Sequence, residues 1–218
     1  DHRDLHLSIR RQRQMCIRDS AREFPIKRAK LMVERIQKMD WDHLVISGDI
    51  TQLSLEREFS LAREILDPLL VKTERVTVIP GNHDRYVYQQ HGTDLFTKYF
   101  GDFFGTNELH VSKIHQEWVL VGWDSAHPND WRTAAGTVKS STIRATEKLI
   151  ESLSDQTNFI VVNHFPLTFP EDWKFDRSHE LYNLVPVRNW ILQNSKIRLY
   201  LHGPVSYTHL TLPTNREV

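Results

Sequence analysis

The chain has 218 residues with 28 Lys+Arg, 28 Asp+Glu, 12 His and a single Cys, giving a formal net charge of zero. This balance offers no electrostatic footing for specific nucleic-acid binding or for a membrane surface, and one cysteine excludes a disulfide framework. No run of about 18 apolar residues reads as a membrane span, and the scarcity of cysteine fits a reducing compartment, so a cytoplasmic location is expected.

The two ends read as antisense copies of each other. Met15-Cys16-Ile17-Arg18-Asp19 can be encoded ATG TGT ATA AGA GAC, whose reverse complement reads Val205-Ser206-Tyr207-Thr208-His209. All fourteen positions of 6–19 have compatible antisense codons with 205–218. No property of a protein requires this, whereas inverted DNA ends do. The codons also resemble a transposase-type library adapter, through Asp1-His2-Arg3-Asp4-Leu5. Residues 1–20 and 205–218 are therefore expected to be adapter-derived, leaving 21–204 as one partial domain. Asp4-Leu5-His6 has the form of a metal-binding Asp-x-His, but no apolar strand precedes it. Cys16 and His209 fall in the same segments. The ends hold six of the basic and four of the acidic residues, so the remaining segment carries a net charge of −2.

In chain order, residues 26–39 predict an amphipathic helix with Ala29, Val33, Ile36 and Met39 on one face. Residues 44–47 form a short apolar strand ending in Gly48-Asp49. A second helix over 55–70 carries Phe59, Ala62, Ile65 and Leu66, with Pro68 marking its end. Residues 76–79 form a strand ending in Pro80 and Gly81-Asn82-His83-Asp84. An aromatic-rich helix follows over 95–104, its Phe96, Tyr99, Phe100, Phe103 and Phe104 read as core. Residues 117–123 form a strand ending in Asp124-Ser125, and 128–136 a loop. A helix over 140–153 is expected to take its N-cap from Ser140 or Ser141. Residues 159–163 form a strand leading into His164-Phe165-Pro166. A helix over 184–193 holds Pro186 in its first turn, and 197–201 is a last strand. His91, His110 and His115 are expected at the surface or in loops; His127, His179 and His202 are not expected as ligands, with His202 allowed a place near the site. Trp131 and Trp173 are candidate substrate contacts in loops. Alternating strands and helices, with near-continuous apolar strands, predict an α/β layered fold.

Three strand ends thus carry Asp49, the Asn82-His83 pair and His164. Ligands bind at the carboxyl ends of strands in such sheets, and this mixed oxygen and nitrogen set suits a divalent metal. Two ions about 3.5–4 Å apart can clamp the attacking and leaving oxygens of a displacement at phosphorus. Asp49 is placed to bridge them, Asn82 offers an amide oxygen and His164 an imidazole nitrogen. His83 is the candidate proton donor, and Asp84 the group expected to orient its ring.

Gly48-Asp49, Gly81-Asn82-His83-Asp84 and Val162-Asn163-His164 resemble the second, third and fourth motifs of the calcineurin-like metallophosphoesterases. Ser54-Leu55-Glu56 and Gly122-Trp123-Asp124-Ser125 agree with that resemblance, which covers most of 44–203. It implies a four-layer α/β/β/α sandwich, truncated here at both ends, and a two-metal site of Mn, Fe or Zn. It also implies that Asp49 bridges the ions, that Asn82 and His164 bind one of them, and that His83 is catalytic. The substrate would be a phosphate-ester small molecule or a nucleotide. The first motif, Asp-x-His, is missing from 21–204, and the fifth, Gly-His-x-His, is interrupted after Gly203 by Pro204-Val205. This polypeptide is therefore expected to bind metal poorly and turn over slowly. The alternative is a non-catalytic α/β module that keeps the fold and uses the cleft for binding. A doubly wound nucleotide-binding domain is disfavoured, because no Gly-x-Gly-x-x-Gly follows any strand.

Overall fold

A computed structural model describes residues 26–85, 94–104, 109–115, 117–128, 133–168 and 180–203. Asp4, His6, Cys16, His91, Trp131, Trp173, His179 and His209 lie outside the described residues. The architecture is mixed α/β, with helices and two sheets. Its elements are α1 (Ile26–Gln37), β1 (Leu44–Ile46), α2 (Glu56–Leu66), β2 (Val76–Val78), α3 (Leu95–Phe104) and β3 (Leu109–His115). They continue with β4 (Trp118–Trp123), α4 (Ser140–Ser152), β5 (Asn158–Asn163), α5 (Leu184–Gln193) and β6 (Ile197–His202).

Strands β1 and β2 pair in parallel, Ile46 opposite Val78, as a two-stranded sheet. The second sheet runs β3-β4-β5-β6, with β3 antiparallel to β4 and the other two pairs parallel. The two-residue period of a strand divides β4 cleanly. Val119, Val121 and Trp123 enter one core with Val138, Ile150, Phe159, Val161, Val187 and Ile191. Leu120, with Val162 of β5, enters the other, beside Val76, Val78, Phe59 and the four phenylalanines of α3. The larger sheet therefore has α4 and α5 on one face and β2, α2 and α3 on the other. This arrangement brings the carboxyl ends of β1, β2 and β5 together.

Several sequence expectations shift at element ends. Helix α1 stops at Gln37, leaving Met39 63% exposed rather than on the buried face. Helix α2 ends at Leu66, and a 3-10 turn over Asp67–Leu69 absorbs Pro68. The N-cap of α4 is Lys139 in extended backbone, with no side-chain cap, so neither Ser140 nor Ser141 holds that position. Pro186 does lie in the first turn of α5. Strand β3 is an element the sequence reading lacked, and it places His110 and His115 in a strand rather than in loops.

His110 is half-buried there, stacked on Phe104, its Nε2 2.6 Å from Ser112 Oγ. Across the sheet junction, His43 Nε2 lies 2.8 Å from Thr77 Oγ1. Burial lowers the His43 pKa, and the neighbouring His110 and Arg75 lower it further; burial likewise lowers that of His110. Both rings are thus harder to protonate in the fold than in the unfolded chain. Their contribution to stability is complete above about pH 6.5 and is lost as pH falls toward the depressed folded values. The buried carboxyls Asp84 and Asp124, whose pKa values burial raises, act in the opposite direction. The histidine part is therefore read by difference. The melting temperature of the wild type is expected to fall more steeply between pH 7.5 and 5 than that of a His43→Gln/His110→Gln variant. Parallel melting curves would show that these rings do not sense pH.

Candidate metal centre

The turn after β1 is built from left-handed backbone. Gly48 has φ 95° and Asp49 φ 56°, the latter uncommon for a residue with a side chain. The turn presses on the segment after β2: a Cβ on Gly48 would come 2.6 Å from Gly81 Cα and 2.8 Å from the Pro80 carbonyl carbon. A Cβ on Gly81 would lie 2.7 Å from His164 Cε1. Three chain segments therefore meet at glycines, and only the missing side chains let them.

At this meeting point His83 N donates to Asp49 Oδ1 at 3.1 Å. Asp49 Oδ2 faces His164 Nε2 at 3.5 Å, and Asn82 Oδ1 faces the same nitrogen at 3.1 Å. His164 is 2% exposed and Asn82 6%. The other ring nitrogen of His164, Nδ1, lies 2.7 Å from the Ser47 carbonyl. A carbonyl only accepts, so Nδ1 carries a hydrogen, and when the ring holds no second one Nε2 presents its lone pair. In that form a nitrogen lone pair, an amide oxygen and a carboxylate oxygen converge. Asn82 Nδ2 is buried without a hydrogen-bond partner, consistent with an amide turned to offer its oxygen rather than its N–H groups. Such a convergence is repulsive until a cation shares it, and the donor chemistry fits a divalent metal. Among the described residues, no group of three His, Cys, Asp or Glu gathers elsewhere or here; the third donor is an amide.

The remaining candidates hold their places differently. His83 Nδ1 lies 2.8 Å from the Gln52 carbonyl, which by the same reasoning puts the lone pair of that ring on Nε2. Its own carbonyl accepts hydroxyls from Thr51 at 3.1 Å and Ser54 at 2.7 Å. Asp84, expected to orient the His83 ring, directs its carboxylate at backbone. It accepts from Gly81 N at 2.9 Å, Thr51 N at 2.8 Å, Ile50 N at 3.3 Å and Thr51 Oγ1 at 2.9 Å. Asp84 thus ties the turn after β1 to the turn after β2. At the end of β5, Asn163 is fully buried. Its Oδ1 accepts from Ser125 Oγ and His164 N, and its Nδ2 donates 2.9 Å to Tyr200 Oη. His202 sits at the end of β6 with Nδ1 directed at the Gly203 carbonyl.

Thr51, Gln52 and the Ser47 carbonyl were not singled out by the sequence, because they act through backbone or through hydroxyls that any turn might carry. With this geometry in place, likeness to known proteins becomes interpretable. The profile of the calcineurin-like phosphoesterases matches residues 4–203.

The chain belongs to the calcineurin-like phosphoesterase family.

The matched span includes Asp4 and His6 and closes at Gly203, the last described residue. Among relatives of this family member, a "probable cyclic nucleotide phosphodiesterase" of Ruthia magnifica subsp. Calyptogena magnifica is 25% identical over 174 residues. A protein of the same description from Vesicomyosocius okutanii subsp. Calyptogena okutanii (strain HA) is 24% identical over 174 residues. Each alignment covers 80% of this chain and 66% of the relative, so the chain spans just under two thirds of their length. Among the described residues, no helix is long and apolar enough to cross a membrane.

Proposed function

We propose that this phosphoesterase hydrolyses phosphate esters with divalent metal ions, and that a phosphodiester of nucleotide type is its substrate class. The convergence of Asp49 Oδ2, Asn82 Oδ1 and His164 Nε2 at the ends of β1, β2 and β5 is the observation that carries the reading. Asn82 and His164 would hold one ion and Asp49 would bridge to a second, with Mn, Fe or Zn matching these donors. Bound divalent ions would lower the pKa of a water and draw charge from the phosphoryl oxygens. The residues supply orientation. Gln52 holds the Nδ1 hydrogen of His83, so Nε2 is the nitrogen through which a protonated ring would hand a proton to a departing alkoxide. Thr51 and Ser54 hold the His83 carbonyl, so the ring is aimed from a rigid backbone. The nucleotide preference rests on the relatives described as cyclic nucleotide phosphodiesterases.

The test pairs calorimetric Mn²⁺ titration with hydrolysis of a chromogenic phosphodiester and of a cyclic nucleotide. Mn²⁺ uptake is expected to disappear in Asp49→Ala and His164→Ala, with turnover lost in both. Uptake without any hydrolysis would favour the non-catalytic binding module. An Asn82 amide rotated by half a turn would donate to His164 Nε2 and close the site, an arrangement that absence of Mn²⁺ uptake in the wild type would indicate, whereas uptake surviving both substitutions would overturn this assignment of the donors.

A further inference from the structure

Asn82, His83 and Asp49 come from the end of the two-stranded sheet, whereas His164 comes from the four-stranded sheet. The spacing between them depends on what fixes one sheet end against the other. Arg85, the last residue of the 3-10 turn Asn82–Arg85, reaches across that boundary. Its Nη2 donates 2.7 Å to Asp124 Oδ2, in the segment following β4, and its Nη1 pairs with Asp94 before α3. The guanidinium lies 5.2 Å from the Phe96 ring centroid. The side chains of Arg85 and Asp124 are only 17% and 22% exposed. Asp124 is fixed in turn, its Oδ1 accepting from Ala126 N at 3.2 Å. The next residue, Ser125, donates to Asn163, whose Oδ1 also receives the His164 N–H. A short path of polar contacts therefore runs from the turn bearing Asn82 and His83 to the backbone of His164.

We propose that Arg85 is a positioning residue, which through its ion pair with Asp124 sets the distance of Asn82 and His83 from His164. The proposal deepens the phosphoesterase reading and rests on it for its catalytic consequence, but the positioning itself belongs to the metal-free protein. Lysine is not equivalent to this arginine, because its ammonium lacks the planar group that lies over Phe96 while an N–H reaches Asp124. A buried pair of this kind is weak ground for stability, since an apolar pair of similar volume often does as well, but it is directional. Asp94 supplies an internal control. It caps α3 through Thr97 N at 3.2 Å and holds Arg85 from the outer side without reaching the second sheet.

The experiment reads the His83 and His164 imidazoles by long-range proton–nitrogen NMR in metal-free protein, then Mn²⁺ affinity and the division between kcat and KM. Arg85→Lys, Asp124→Asn and the volume-matched Arg85→Met/Asp124→Leu are compared with Asp94→Asn. The first three are expected to move both imidazole spectra and to lower Mn²⁺ affinity or kcat by roughly 10–100-fold, the scale of supporting residues at metal sites. KM should change much less, and Asp94→Asn should leave spectra and turnover as in the wild type. The Met/Leu pair guards against unfolding, because it restores packing without restoring direction. Unchanged imidazole spectra in a folded Arg85→Met/Asp124→Leu variant would overturn the proposal. Shifted spectra in a protein that takes up no Mn²⁺ would uphold the positioning role and sink the phosphoesterase reading instead.

Discussion

Replacing Asp84 with alanine is expected to destabilise the protein by about 3–5 kcal/mol, the cost of breaking a buried, fully engaged carboxylate. Asp84 is 1% exposed, and its oxygens receive three backbone N–H groups and the Thr51 hydroxyl. Burial raises its pKa, while the donors from Gly81 and Thr51 pull against that shift. Alanine would orphan donors from two turns at once, and each unmet buried group costs about 1–3 kcal/mol. Asparagine should lie between, since it keeps one acceptor oxygen but turns an NH₂ toward N–H donors. Urea denaturation with a common m-value measures the order directly. A loss under 1 kcal/mol in the alanine variant would mean that water satisfies these donors and that the turns are not joined by the carboxylate.

Gly48→Ala is the second large effect. The left-handed backbone at φ 95° costs an L-residue roughly 1–2 kcal/mol. The added methyl would also meet Gly81 Cα at 2.6 Å and the Pro80 carbonyl carbon at 2.8 Å. These are backbone atoms that cannot rotate aside, so overpacking adds about 1–3 kcal/mol. The total is expected near 3–4 kcal/mol by denaturation, with Mn²⁺ uptake lost even where the fold survives, because Asp49 is the next residue. Wild-type stability together with intact uptake would show that the two turns can separate without consequence.

The site was legible in outline from the sequence because each donor closes a short apolar run. Gly48-Asp49, Asn82-His83 and His164 needed only period and punctuation to be placed at strand ends, and the structure brings Asp49, Asn82 and His164 together. What was not legible depends on partners distant in sequence. Asp84 looks like a companion for its neighbour His83, yet besides Gly81 N its donors come from residues 50 and 51, more than thirty positions away. Arg85 follows the motif without any local sign that Asp124, 39 residues on, will face it. Strand β3, Leu-His-Val-Ser-Lys-Ile-His, alternates too weakly to stand out beside the continuous runs of β4 and β5, because among the described residues it pairs with β4 alone and leaves Val111 exposed. The missing side-chain cap on α4 has the same cause: the chain enters that helix from extended backbone at Lys139, and two serines inside the first turn do not change the entry point.

The contact between His164 Nδ1 and the Ser47 carbonyl spans 117 residues of chain. Contacts of such separation carry a large loop-closure cost and form late when a protein folds. The donor cluster therefore exists only after both sheets have docked. A cation bound there would have nothing to grip in the early, collapsed chain, so it would act as a brake on unfolding rather than a seed for folding.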